Sequence, residues 1–427
     1  MTISSAIMML GPTIDMIWVG KLGAASIAGV GVSGMVVMLV NSLIMGLFTG
    51  LRAMVARFVG AGDVAEANHV AQQAFVIGAV FPLFTAIIGI FLAEPILILM
   101  GVEADVVREG SAYMRIQFVG MVTMSFGMMT QGIMQASGDA INPMKISVST
   151  RLFHVVLCPF LIFGWWLFPR LGVSGAALTN VISQGLGGVL SLWFLFSGRT
   201  RLQLTFKGFR LDPNIIWRMV KIGIPASVNG MERNFSQLIL MRIIAPFGTL
   251  AVAAHTLCQR VDMFIFMPAM GLGQASSVLA GQNLGAGQPE RAERTGWLGT
   301  SLVEGVVVIG SVAIWFWAES IVRIFSPEPG LVQIASTFLR IAIAGLLMMG
   351  FTAVLMQCLM GVGDTVPPML VSIISIWLVQ LPLAYFVPQV TDLGVYGVRW
   401  AMVSGMFIQA IAFTTYFRAG RWKHKKV

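Results

Sequence analysis

Long apolar stretches separated by short polar links run through the chain from end to end. A helix that crosses a bilayer needs about 20 residues, and twelve stretches are about that long or longer. Their approximate limits are residues 2–19, 25–56, 69–92, 106–136, 143–165, 173–197, 215–246, 250–282, 296–318, 331–360, 366–387 and 395–417. The pattern predicts an all-α polytopic membrane protein with twelve transmembrane helices.

An internal repeat divides these stretches into two sets of six. When the sequence is shifted by 225 positions, glycine, proline and charged residues coincide. The coinciding pairs include Gly23 with Gly248, Gly46 with Gly271, Gly60-Ala61-Gly62 with Gly285-Ala286-Gly287, Glu94 with Glu319, Arg115 with Arg340, Asp139 with Asp364 and Pro143 with Pro368. After a three-residue shift, Gly172 and Gly175 match Gly394 and Gly397. Six crossings are an even number, so both copies enter the membrane in the same direction. This predicts two pseudo-symmetric lobes in a parallel repeat, an arrangement typical of transporters.

The repeat and the links predict the domain organisation. We expect an N-terminal six-helix lobe at 1–197, a linker at 198–214, a C-terminal six-helix lobe at 215–417 and a basic tail at 418–427. The lead-in from Asn214 to Ile222 has no counterpart in the first half, because Met1 aligns with Ala226. Either the chain lacks its native beginning or the first lobe starts differently.

Composition and charge narrow the class of protein. Apolar residues make up 57% of the chain and charged residues only 11%, against about a quarter charged in soluble domains. Lys and Arg concentrate in the links after even-numbered stretches and in the tail, whereas the opposite links hold few, Arg170 and Arg399 among them. By the positive-inside rule, both termini and the 198–214 linker are cytoplasmic in a plasma or inner membrane. Topology thus explains the net charge of +9, and no nucleic-acid partner is expected. The basic tail is then expected to fix the orientation of the chain in the membrane. The alternative is that the tail binds anionic lipids specifically.

Enzymatic and metal motifs are missing from the sequence. The three Cys lie in apolar stretches, and the four His are scattered at positions 69, 154, 255 and 424. Neither a metal-ligand spacing nor a nucleotide-binding loop is present. We therefore expect no enzyme, no structural metal and no cofactor other than a coupling ion.

Several motifs resemble the multidrug and toxic compound extrusion (MATE) transporters, in particular the bacterial and archaeal branch. The resemblance spans essentially the whole chain. It rests on Asp15-x-x-x-Val19-Gly20-Lys21-Leu22-Gly23, the two Gly-Ala-Gly turns, Gln135-Ala136-Ser137-Gly138-Asp139-x-x-x-Pro143 and Gly271-Leu272-Gly273-Gln274 through Gly281–Gly287. It implies ion-driven efflux of small organic, cationic or amphipathic compounds by alternating access. We expect a monomer in the lipid bilayer.

Asp15 is the first candidate for ion coupling, because it stands inside an apolar stretch. A charge at the bilayer centre costs about 2.5–3.5 kcal/mol on insertion scales, so such a group usually binds a proton or cation. The alternative is an interfacial position from which Asp15 caps structure near Gly20. The sodium-binding branch of the family implies partners from the fifth and sixth stretches. At those positions this sequence has His154, Cys158 and Asn180.

These replacements favour protons over sodium. A second carboxylate is missing, which weakens a cage for a hard cation, whereas histidine changes charge between pH 5 and 8. A sodium ion at Asp15 and Asn180 is the alternative. Two structural alternatives also stay open: His154 could be an interior hydrogen-bonded residue, and Cys158 could be a packing residue.

Other polar residues inside stretches are candidates for a substrate cleft. They are Gln131, Gln135, Glu232, Arg233, Asp262 and Gln274. A structural ion pair for Glu232-Arg233 and interhelical hydrogen bonds for the glutamines are the alternatives. The tenth stretch reads Met348-Met349-Gly350-Phe351, without a carboxylate, which argues against a sodium site in the second lobe. Asp139 and Asp364, each followed by proline, are expected to cap helices.

A lipid or lipid-linked glycan flippase of the same superfamily is the alternative function. It would need a more cationic cleft, and the sequence offers Arg52, Arg233 and Arg242 for that role.

Overall fold

The structure is a computed structural model that describes residues 18–19, 24–101, 103–165 and 169–425. Asp15 and most of the first predicted stretch lie outside the described residues. The helices of the first half are α1 Ala24–Gly60, α2 Val64–Leu99, α3 Ala104–Ala136, α4 Ile141–Phe163 and α5 Val173–Phe196. Those of the second half are α6 Pro213–Ile244, α7 Thr249–Gly285, α8 Pro289–Phe325, α9 Pro329–Leu346, α10 Met349–Gly361, α11 Val366–Ile373, α12 Leu381–Val390 and α13 Val395–Ala419.

The predicted second to twelfth stretches all form helices. The tenth is divided into α9 and α10, and a π-helical segment, Ile374–Gln380, joins α11 to α12 in the eleventh. In the part of the chain that the structure describes, nine helical spans are long and apolar enough to cross a membrane. α3 and α6 are long but more polar, since charged and amide side chains interrupt them. The all-α membrane fold is confirmed.

Two compact units make up the chain, and the division falls inside α6, between Ser227 and Val228. In the first unit α3 packs against α1, α2 and α5, and α5 also packs against α4. In the second unit α7 packs against α8, α9 and α10, and α13 packs against α9, α10 and α12. The predicted lobe and linker limits stay predictions.

Individual contacts recur in both units at the predicted offset. Arg115 Nη2 lies 3.0 Å from Glu94 Oε2 in the first unit, and Arg340 Nη2 lies 3.4 Å from Glu319 Oε1 in the second. The Ser33 hydroxyl donates to the Gly110 carbonyl at 2.8 Å. At the equivalent position the Cys258 thiol donates to the Ala335 carbonyl at 3.4 Å. The sequence repeat is therefore a repeat of helix packing.

The two Gly-Asp turns differ, although Gly138 and Gly363 both adopt positive φ, 92° and 86°. Asp139 accepts from the backbone N–H groups of Ile141 and Asn142, both at 3.1 Å, and so caps α4 as predicted. The prediction of a cap at Asp364 is wrong. Its buried carboxylate instead accepts from the Tyr416 hydroxyl at 2.7 Å and lies 3.2 Å from Lys425 Nζ.

The basic tail folds back onto the second unit. Trp422 is fully buried and stacks on Phe417 of α13, with ring centroids 4.7 Å apart. Lys423 pairs with Glu293 of α8, and Lys425 pairs with Asp364. Two of the tail's lysines thus meet carboxylates of the protein itself.

The polar segment at 198–214 is held against α2 by amide side chains. Asn68 and the backbone of Thr205 exchange two hydrogen bonds of 3.1 Å. Gln73 is fully buried; its amide donates to the Arg210 carbonyl at 2.7 Å and accepts from the Asp212 N–H at 3.1 Å. The segment is therefore part of the first unit's packing.

Candidate functional site

His154 and Cys158 lie one turn apart on α4 and both are buried. Cys158 belongs to the first-unit core cluster, formed by Val19, Val30, Tyr113, Cys158, Ile162, Val173, Ala176 and Ala177. The surroundings of Cys158 favour packing as its role.

Asn180 shares one face of α5 with Val173, Ala176 and Ala177, which line the same cluster. α5 runs antiparallel to α4, because Gly175 near its start lies against Leu161 near the end of α4, and Gly187 further along lies against Thr150. His154 is one turn before Cys158, and Asn180 is one turn after Ala176. Helical periodicity therefore places His154 and Asn180 at the same level on facing helices. Their proposed partner Asp15 lies outside the described residues, so the predicted coupling site stays a prediction.

The glutamine candidates are half-buried. Gln131 of α3 accepts a hydrogen bond of 3.4 Å from the Ser147 hydroxyl of α4, which is the interhelical role that the sequence left open. Gln135, near the end of α3, and Gln274 of α7 are also only partly covered. Their roles as cleft residues stay predictions.

Glu232 and Arg233 have different surroundings, although they are neighbours on α6. Glu232 is buried, with Trp377 of the π-helical segment facing its carboxylate. Arg233 is exposed, and its guanidinium carbon lies 5.9 Å from the centre of the Phe266 ring. One turn earlier, the Asn229 amide donates to the Ser372 hydroxyl at 3.1 Å. α6 therefore combines buried polar groups with exposed cations such as Arg233.

Asp262 of α7 forms an ion pair with Arg399 of α13, with Arg399 Nη1 3.6 Å from Asp262 Oδ2. The sequence had placed Arg399 in an outer link, and that interpretation is wrong: its side chain is only 3% exposed. The internal repeat contains a signal for the pair that sequence reasoning missed. Arg399 is equivalent to Ala177 and Asp262 to Val37 in the repeat, so each charged residue has an apolar equivalent in the first half.

Glu304 is a second residue that sequence reasoning missed. It lies on α8, and its Oε1 accepts from the backbone N–H of Gly350 at 2.8 Å. Gly350 is in the first turn of α10, directly after the break that separates α10 from α9. The tenth stretch lacks a carboxylate of its own, but the fold supplies one from the ninth.

Within residues 18–19, 24–101, 103–165 and 169–425, no group of three or more His, Cys, Asp or Glu side chains could hold a metal ion. The polar sites described above are pairs or single residues in helix interiors. Such groups suit proton binding or substrate contact.

The MatE family model matches residues 1–160 and again residues 225–386, one match for each half of the repeat. The chain belongs to the MatE family. This confirms the resemblance drawn from the motifs: the chain is a MATE family transporter that crosses the membrane several times.

Relatives and a solved structure agree with this membership. The probable multidrug resistance protein NorM of Thermotoga maritima is 26% identical over 440 residues, which cover 99% of this chain and 91% of the relative. The probable multidrug resistance protein YoeA of Bacillus subtilis is 26% identical over 433 residues, covering 100% and 92%. A MOP superfamily transporter from Pyrococcus furiosus superposes with a TM-score of 0.92 at 23% identity, covering 100% of this chain and 94% of that one. The last similarity establishes the fold alone.

Proposed function

We propose that this MATE family chain is a secondary active antiporter that exports organic cationic or amphipathic compounds in exchange for protons by alternating access. Multidrug resistance relatives matched over their length support the substrate class. The two units with recurring helix contacts support alternating access, because parallel repeats of this kind form the two lobes of many transporters.

The observation that carries proton coupling is the burial of His154 on α4, beside a thiol rather than a second carboxylate. A hard cation needs several oxygen ligands and favours carboxylates, whereas the described residues of α4 and α5 near His154 offer amide and hydroxyl oxygens, such as those of Asn180 and Ser183, and no carboxylate. Asp15 is the proposed coupling carboxylate, with His154 and Asn180 beside it. Sodium at Asp15 and Asn180 is the less favoured alternative.

Coupling to one proton supplies enough energy for useful export. One proton moving down 100 mV releases about 2.3 kcal/mol, which sustains roughly a 40–50-fold gradient of an uncharged substrate. Exchange of one proton for a monovalent cation moves no net charge, so the proton concentration gradient alone drives it. The proposed cleft residues are Gln131, Gln135, Glu232, Arg233, Asp262 and Gln274. The chain's 29 Met and 28 Phe include side chains soft enough to accept varied apolar cations.

Proteoliposomes test the proposal. Ethidium uptake is followed while a proton gradient or a sodium gradient is imposed alone, for the wild type, Asp15→Asn and His154→Gln. The control is Glu94→Gln, because Glu94 is an exposed carboxylate paired with Arg115. We expect proton-driven transport in the wild type and the control, and its loss in Asp15→Asn. Transport driven only by sodium would exclude proton coupling, and full activity of Asp15→Asn would exclude its role.

The flippase alternative is supported by one feature of α6. Arg233 and Arg242 are both exposed on this helix, and a lipid phosphate or pyrophosphate would pair with such cations. Arg52 of α1 is half-buried and donates to the Thr49 hydroxyl at 3.3 Å. Lipid scrambling measured in the same proteoliposomes, without ethidium transport, would support the flippase.

We further propose a monomer in the plasma or inner membrane, with both termini in the cytoplasm and no cofactor besides the coupling ion. The distribution of Lys and Arg between alternate links supports this orientation. A C-terminal reporter that is active only in the cytoplasm tests it.

A further inference from the structure

A group of polar side chains is buried inside the second unit, where α7 meets α13. His255, Cys258 and Asp262 follow one face of α7 at spacings of three and four residues, and Arg399 reaches them from α13. We name these four residues the α7–α13 cluster. His255 is fully buried, Arg399 is 3% exposed and Asp262 is 26% exposed.

Arg399 is held at the centre of the α7–α13 cluster. Its Nη1 lies 3.6 Å from Asp262 Oδ2, too far for a hydrogen bond of good geometry. Its guanidinium carbon is 5.0 Å from the centre of the Phe338 ring of α9, within the range of a cation–π contact. The charge of Arg399 also acts on His255 and Cys258. One guanidinium therefore interacts with every other member of the cluster.

The α7–α13 cluster is only partly satisfied. Within the described part of the chain, Asp262 Oδ1, His255 Nδ1 and two nitrogens of Arg399, Nε and Nη2, are buried without a hydrogen-bond partner. Buried polar groups normally have partners, and a buried ion pair with unsatisfied atoms is often less stable than apolar residues of similar volume. The unpartnered Oδ1 leaves the Asp262 carboxylate with an oxygen that can take up a proton.

The fold itself does not require the α7–α13 cluster, as the first unit shows. The equivalents of His255, Cys258, Asp262 and Arg399 are Val30, Ser33, Val37 and Ala177. Val30 and Ala177 belong to the first-unit core cluster, together with Tyr113, the equivalent of Phe338. A lobe can thus be built with apolar residues in place of His255, Asp262 and Arg399, and the charges of the second unit need a functional explanation.

Within the described part of the chain, the other charged groups on the elements packed against α7 and α13 are exposed or have partners of their own. On α8 and α9, Glu304 is engaged by Gly350, and Glu319 pairs with Arg340. Arg260 of α7 is exposed. Arg399 is the charged group that acts on Asp262.

We infer that Asp262 is a second proton-binding group of this transporter, with Arg399 as its internal counter-ion. The inference rests on the proposed proton-coupled antiport. The ionised carboxylate pairs with Arg399 and thereby joins α7 to α13. A proton taken up by Asp262 neutralises the carboxylate and weakens this link, while Arg399 keeps its contact with Phe338. Release of the proton to the other compartment restores the pair.

The number of protons exchanged per ethidium tests the inference. It is measured in proteoliposomes held at zero membrane potential, as the slope of the steady-state ethidium gradient against the imposed proton gradient. We expect Asp262→Asn to exchange one proton fewer than the wild type, so that a proton gradient equivalent to 100 mV sustains an ethidium gradient smaller by about 40–50-fold. Glu319→Gln, which changes an exposed carboxylate of the same unit, should keep the wild-type number.

A second variant guards against misfolding, since Asp262→Asn leaves Arg399 buried without a counter-ion. Asp262→Val combined with Arg399→Ala installs the first unit's residues and removes both charges. We expect this double variant to fold and to lose the same proton. An unchanged proton number in either folded variant overturns the inference while leaving proton-coupled antiport intact. A wild type that moves no protons with ethidium would instead overturn the proposed function.

Discussion

The break between α9 and α10 allows a sharp test of how one carboxylate shapes a helix. Glu304 accepts from the N–H of Gly350 at 2.8 Å and also from that of Phe351. A helix leaves the N–H groups of its first turn unpaired unless a side chain accepts from them. We predict that Glu304→Ala opens the first turn of α10, because no other acceptor replaces the carboxylate.

The size of this effect follows from the kind of bond that is lost. A hydrogen bond to a charged group contributes about 1.5–3 kcal/mol, and loss of a helix N-cap costs about 0.5–2 kcal/mol. Glu304 is partly buried, so about 2 kcal/mol is a fair value for Glu304→Ala. Since 1.4 kcal/mol is a factor of ten, local opening should rise roughly 30-fold. Glu304→Gln keeps a neutral acceptor and should lose about 1 kcal/mol, or roughly 5-fold.

Hydrogen–deuterium exchange of the peptide covering 347–352 measures this opening. The matched control is Glu319→Ala on the same helix, where the lost partner is the half-exposed Arg340 and the ion pair contributes at most about 1 kcal/mol. Gly350→Ala approaches the contact from the other side, because its Cβ would lie 2.5 Å from Glu304 Oε1. We expect faster exchange in Glu304→Ala and Gly350→Ala, a smaller increase in Glu304→Gln, and no change in Glu319→Ala. Unchanged exchange in folded Glu304→Ala would show that the carboxylate does not hold the break.

Two further variants test how the polar segment and the tail are held. Gln73→Leu removes both hydrogen bonds of this buried amide to the 198–214 segment. We expect it to lower the free energy of unfolding by about 2–3 kcal/mol and to speed proteolysis within that segment. Cleavage at the wild-type rate would contradict this role. Asp364→Asn weakens the contact with Lys425, so we expect trypsin to cut the tail faster than in the wild type. The control is Asp139→Asn at the equivalent position of the first unit, which should leave that rate unchanged.

The helices and the repeat could be predicted from the sequence because both depend on local properties. Hydropathy alone marks each crossing, and a shift of 225 aligns residues such as Arg115 and Arg340 that make the same contact in each unit. The positive φ of Gly138 and Gly363 has the same origin, since both turns require a residue without a side chain. These features need no knowledge of which helices are neighbours.

The polar sites depend on helix neighbours, and so the sequence left them incomplete. Leu346-Leu347-Met348-Met349 contains neither glycine nor proline. The flanking Gly345 and Gly350 do not mark a helix end by themselves, because glycines are frequent inside membrane helices. The break is apparent only once Glu304 of another helix is seen to cap it. Arg399 stands in the first turn of its helix, where a sequence pattern cannot tell an exposed link from a side chain that reaches inward. Its burial depends on Phe338 and Asp262, which are distant in the chain.

The pattern of what the two units share, and what they do not, bears on how coupling works. Contacts that hold helices together recur at equivalent positions, as Ser33 with Gly110 and Cys258 with Ala335 show. Two residues proposed to bind protons do not recur: His154 has only apolar counterparts in the second half, and Asp262 has Val37 in the first. If ion binding drove both units alike, equivalent titratable groups would be expected in each. The structure instead gives each unit a different chemistry on the same scaffold, so protonation would stabilise different rearrangements in the two.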